Sequence, residues 1–161
     1  MKLFFYILIL VAGSVGTAKT PSVCEPCAQA IALEKKIALS QIVPDQMNAK
    51  TINQQDRFVG DSAEALQRIL KLRPFEKEHA RAVLKLLSRI ACFYDNQGDL
   101  TSLNRDLFKA IYDTRTNVLK SELKVMIKSG EITQKRSKAM LEAIGAIDAA
   151  DYIPAGCADY R

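Results

Sequence analysis

Apolar residues recur at three- and four-residue intervals along most of this chain, and no segment alternates apolar and polar positions between turn signals. The pattern predicts an all-α fold. A first helix is expected from Val23 to Ile42: Ser22 and Glu25 form a Ser-x-x-Glu capping box, Pro26 falls in the tolerant first turn, and Pro44 marks the stop. A second is expected to start at Asp61, with Glu64 at capping-box spacing, and to carry Leu66, Ile69 and Leu70 toward Arg73. Pro74 opens a third, which is the clearest. Its face is Phe75, His79, Ala82, Val83, Leu86, Leu87, Ile90 and Tyr94, and Gly98 ends it. A long fourth is expected from Asp99 to Gly130 on Leu103, Leu107, Ala110, Ile111, Thr114, Val118 and Val125. A fifth, capped by Thr133, turns Met140, Leu141, Ile144 and Ile147 inward before Pro154.

The stretch from Pro44 to Gly60 keeps no apolar period, its Met47, Ile52, Phe58 and Val59 being irregularly spaced. A loop of that length in a compact domain either functions or hides a weak helix. The expectation is a loop containing a short helical turn, the least protected part of the domain and a candidate recognition surface. With no internal repeat visible, the elements predict a single-domain bundle of four to five helices.

The first residues change the picture. Lys2, an unbroken apolar run from Leu3 to Ala12 and the small-residue end Gly16-Thr17-Ala18 have the order of a cleaved secretory signal. The run is too short to span a bilayer, which takes about 20 apolar residues. Residues 1–18 are therefore read as signal peptide and 19–161 as the helical domain, exported to a periplasm or the extracellular space. The 143 residues that remain suit one core. Their side-chain charge, 22 basic against 18 acidic, is mild, which argues against a nucleic-acid binder.

Export also sets the reading of Cys24, Cys27, Cys92 and Cys157, all beyond the cleavage site. An even count in an oxidising compartment favours disulfides that stabilise the bundle. Long-range ties from Cys24 and Cys27 to Cys92 and Cys157 are preferred, with Cys24–Cys27 plus Cys92–Cys157 as the alternative. Cys24-Glu-Pro-Cys27 is also the most reactive-looking motif, because a helix N-terminus favours thiolate. Thioredoxin-like enzymes, however, need a βαβ framework, and Ala28 stands where haem attachment requires histidine. A four-thiolate zinc site normally shows two close pairs, and here there is one.

His79 is the sole histidine. Glu76-x-x-His79 has the spacing of a di-iron bundle, but that chemistry needs the motif twice, so the ring is read as packed in the third helix. Hydrolytic triads lack an assignable nucleophile. The turn from Asp95 to Thr101 superficially resembles a calcium loop, yet each register loses a required residue, so it is read as helix termination at Gly98 and capping at Asp99. No metal and no cofactor is expected.

Lys77, Arg81, Lys85 and Arg89 are four apart, as are Lys120, Lys124 and Lys128, and these stripes are the candidate surface for an anionic partner. From Glu142 to Arg161 the charge is reversed, with Glu142, Asp148, Asp151 and Asp159 against Arg161. The sequence thus favours a non-catalytic binding module for a protein or an anionic envelope component, with no nucleic acid and no transmembrane segment. A thiol–disulfide protein using Cys24 and Cys27 is the alternative. The signal reading predicts a mature N-terminus at Lys19, checked by N-terminal sequencing of exported protein; retention of Met1 would overturn it.

Overall fold

The computed structural model describes residues 24–40, 49–95 and 102–145. These form six helices and no strand: α1 (Glu25–Leu39), α2 (Ala49–Leu70), α3 (Lys77–Asp95), α4 (Ser102–Asp113), α5 (Thr116–Lys128) and α6 (Gln134–Ala143). The all-α class stands, and the four to five helices expected become six. Among the described residues no helix is long and apolar enough to cross a membrane.

The largest departure is α2. Where a loop to Gly60 and a new start at Asp61 were expected, one helix of 22 residues runs through both. Phe58, Val59, Ser62, Ala65, Leu66 and Ile69 are all buried and recur at helical spacing. Asp61, expected as the cap of a new helix, is an exposed residue within α2, and Ser62 beside it is a small side chain buried in the apolar seam. Gly60 lies on the exposed side of the same turn, where an added Cβ would meet nothing. Its weak helix propensity costs only about 1 kcal/mol, and burial of the flanking stripe outweighs that.

The expected fourth helix is two. Thr114 and Thr116 each turn a hydroxyl back onto the preceding turn, Thr114 Oγ1 to the Ala110 carbonyl at 2.8 Å and Thr116 Oγ1 to that of Tyr112 at 3.2 Å. Such bonds compete with the helical ladder, and Arg115 between them leaves helical geometry with φ −137°. The buried face is accordingly Phe108, Ile111 and Tyr112 on α4, then Leu119, Leu123 and Met126 on α5. Val118 and Val125, expected inside, are exposed at 38% and 44%. Gly130, at φ +77°, ends α5 as expected, and the Ile132 amide reaches back to the Met126 carbonyl at 3.2 Å. Thr133 caps α6 as expected by accepting from the Arg136 amide at 3.2 Å.

α3 is the axis of the bundle and packs against α1, α2, α5 and α6. Its apolar surface is broader than one stripe, because Ala80, Leu84 and Ala91 are buried beside Val83, Leu86, Leu87 and Ile90. The small alanines let neighbouring backbones approach. α1 runs parallel to α3, with Glu34 against Arg89 and Cys24 and Cys27 against His79. α2 runs antiparallel to α1, pairing Arg68 with Gln29 at 2.7 Å and Phe58 with Lys36.

A largely buried ion cluster joins the first, third and last helices. Arg89 Nε donates to Glu34 Oε1 at 2.9 Å, and Arg136 Nη2 donates to the same oxygen at 3.2 Å, to Ser88 Oγ at 3.0 Å and to the Lys85 carbonyl at 3.1 Å. The three charged side chains are only 14%, 12% and 8% exposed for Glu34, Arg89 and Arg136. Removing the carboxylate would leave two guanidinium groups short of their acceptor. Glu34→Ala is expected to lower stability by about 3 kcal/mol in urea denaturation; a loss below about 1 kcal/mol would show that the cluster is not a principal tie.

Candidate functional site

The N-terminus of α1 is capped by a cysteine. Cys24 has extended geometry, and its Sγ accepts from the Cys27 amide at 3.3 Å. The expected capping box on Ser22 is replaced by this Cys24 cap, and Ser22 itself lies outside the described residues. Pro26 occupies the first turn, where no amide is required.

Cys24 and Cys27 are joined to each other, with Cα atoms 5.2 Å apart. This corrects the expected pair of long-range ties from the helix start to Cys92 and Cys157. A capped first turn already holds the two sulfurs side by side, so the near partner wins. A bridge across three residues closes a very short loop and restricts the unfolded chain little. The side chain of Cys92, and Cys157 entirely, lie outside the described residues. So do Asn96 to Thr101 of the calcium-like turn and the tail from Ala146.

The parallel packing of α1 on α3 brings His79 to the bridge. Donor atoms of Cys24, Cys27 and His79 all lie within 4.8 Å of one another. Cys27 and His79 are buried, at 7% and 8% exposure, whereas Cys24 is half-buried. The imidazole is held by its own turn: Nδ1 accepts from the Glu76 amide at 2.9 Å, and Nε2 lies 3.5 Å from Glu78 Oε1. Phe75 packs a tilted ring against it, centroids 5.7 Å apart, and carries the Arg115 guanidinium over that ring at 5.2 Å.

A groove of about 400 Å³ opens beside this cluster. Pro26, Leu72 and Pro74 give it apolar wall, Arg73, Glu76 and Glu78 give it charge, and Cys24 and His79 line it as well. A sulfur, an imidazole and an entry for a ligand are thus adjacent. The sequence singles out Cys24, Cys27 and His79 but not their meeting, because no spacing along one chain announces that two helices 55 residues apart run in parallel register. A larger groove, about 660 Å³, lies between α1 and α2. Asn53, Gln54 and Arg57, from the stretch expected to be a recognition loop, line it from α2.

The basic stripes differ from one another. On α3, Arg81 meets Glu122 at 3.1 Å and Glu131 at 3.5 Å, Lys85 meets Glu131 at 3.1 Å, and Arg89 is committed to Glu34. Lys77 is exposed at the start of the helix. Arg81, Lys85 and Arg89 tie α3 to α1, α5 and the turn before α6. Lys120, Lys124 and Lys128 are exposed along α5. Comparison with protein-family models, with curated proteins and with solved structures gave no match.

The hydrogen bond from Lys85 holds the Glu131 carboxyl below its ordinary range, with Ser129 and Arg81 acting in the same direction. A carboxyl lowered in the folded state adds stability that is present above its unfolded pKa, about 4.3, and is lost as pH falls through the folded value. Glu131→Gln is therefore expected to cost about 0.5–1 kcal/mol at neutral pH, since the carboxylate is part-exposed, and less in acid, below the ordinary carboxylate range. Thermal denaturation at the two pH values checks this; an equal cost at both would assign the effect to packing.

Proposed function

We propose that this protein is an exported thiol–disulfide exchange protein whose reactive group is the Cys24–Cys27 bond. One observation carries the reading: a disulfide capping a helix N-terminus lies beside a buried imidazole and borders an open groove. The strands of a thioredoxin-like frame are not needed to supply the electrostatics. The first-turn amides and the positive helix end favour a thiolate at Cys24. The half-buried Cys24 is the sulfur an incoming thiolate can reach, and the buried Cys27 is the leaving sulfur.

The exchange proceeds in two displacements. A thiolate of a partner protein attacks Cys24 Sγ; the Cys24–Cys27 bond breaks and its electron pair leaves on Cys27, which takes up a proton. That proton comes from water, because His79 Nδ1 already accepts from the Glu76 amide; the ring lies beside the departing sulfur, where its remaining N–H can stabilise the leaving thiolate by a hydrogen bond. A second partner thiol, deprotonated, then attacks the partner's own sulfur in the mixed disulfide and releases Cys24 as thiolate, the state its cap stabilises. The partner dithiol has lost two electrons and two protons, and the protein has gained two electrons. Run in reverse, the same steps reduce a partner disulfide.

A second reading, a binding module for an anionic partner, has α5 in its favour, where Lys120, Lys124 and Lys128 present an exposed basic row. Exchange of the oxidised chain with dithiothreitol, and of the reduced chain with glutathione disulfide, followed by alkylation and peptide mapping, separates the two. Cys24→Ser is expected to abolish mixed-disulfide formation, Cys27→Ser to trap the mixed disulfide on Cys24, and His79→Gln to slow exchange about tenfold or more at unchanged helicity. Exchange no faster than in an unfolded Cys-x-x-Cys peptide would overturn the redox reading and leave the binding module.

A further inference from the structure

We infer that, once its disulfide is reduced, the Cys24, Cys27 and His79 cluster is a binding site for one borderline-soft d10 cation of the zinc(II) type. The inference rests on the exchange reading to the extent that the bond must be reducible. Two sulfurs and one imidazole are the donors such a cation takes, in preference to the oxygen sets that hold magnesium or calcium. Their donor atoms already lie within 4.8 Å of one another. Metal–sulfur bonds of about 2.3 Å and metal–nitrogen bonds of about 2.0 Å place tetrahedral donors roughly 3.5–4 Å apart. The reduced sulfurs must separate from their bond and the imidazole must close in, and each movement is of side-chain scale.

The surroundings suit a metal ligand. Glu78 Oε1, 3.5 Å from Nε2, becomes the orienting carboxylate of a ligating imidazole when the metal takes Nδ1 and displaces the Glu76 amide from it. The Glu76 amide occupies the lone pair of Nδ1, so taking either nitrogen gives up at least one contact that holds the ring today. Three protein donors leave a fourth position open toward the groove, as in sites where water or a substrate completes the tetrahedron.

The steps balance. A dithiol gives two electrons and two protons to the Cys24–Cys27 bond and closes to its own disulfide. The cation then displaces the two thiol protons and takes both sulfurs as thiolates. Reduction is thus the condition for metal binding, and bound metal shields the pair from reoxidation.

The test titrates the reduced chain with cobalt(II) under anaerobic conditions, with the oxidised chain as control, and follows thiolate-to-cobalt charge-transfer absorption. One cobalt per reduced chain, displaced by zinc(II), and no band from the oxidised chain are expected. The band should vanish in Cys24→Ser and Cys27→Ser and persist when Cys92 and Cys157 are both serine. His79→Gln should weaken binding at least about tenfold, and His79→Cys, which restores a third donor, should recover it. Two reactive thiols mapped to Cys24 and Cys27 without a charge-transfer band would overturn the metal site and leave exchange standing. A pair that no dithiol reduces in the native chain would overturn both. Full affinity in His79→Gln, or a band that follows Cys92 and Cys157, would also overturn the site.

Discussion

A single carboxylate oxygen sets the geometry of this bundle. Glu34 Oε1 receives Arg89 from α3 and Arg136 from α6, so the position of α1 along α3 is fixed by charge as well as by packing. Glu34 and Arg89 are 55 residues apart in sequence. Cys24 and His79 have the same separation, ten residues nearer the N-terminus on each helix. At helical rise that is roughly 15 Å along a parallel pair. Sliding α1 by one turn to satisfy a different cation would carry the cysteines away from the imidazole. A largely buried ion pair is weak evidence for net stability, because desolvation offsets much of the attraction. Its contribution here is register.

Local grammar in the sequence was reliable wherever the relevant atoms are local. Thr133 as cap, Gly130 as stop and the stripe from Val83 to Ile90 are all decided within a turn or two, and each is found as read. The errors have one character. Gly60, Asp61 and Ser62 look like a break because their polarity is judged without a neighbour; the packing of α2 on α1 and α3 makes Ser62 a core residue. The α4–α5 break has a signal, two threonines flanking Arg115, but their back-bonding matters only after packing has chosen which face to bury. The pairing of the cysteines belongs to the same class, since spacing could not rank a neighbour against a distant partner.

Charge follows the same division. The row of cations on α3 looks like a surface stripe on a helical wheel, yet the carboxylates that meet it lie 41 and 55 residues away, on α5 and α1. Seen from α3 the row is a seam. Only the complete bundle distinguishes it from the lysines of α5, which have the same spacing and lie in water.

The contact between Arg136 and Glu34 spans 102 residues. A chain emerging at about 5–20 residues per second presents α1 some 5–20 s before α6 exists to complete its tie. Local helices form in microseconds, so for that interval the first helix is made but held on one side only. The helix that carries the bridge is therefore made well before the last contact that fixes its place in the bundle.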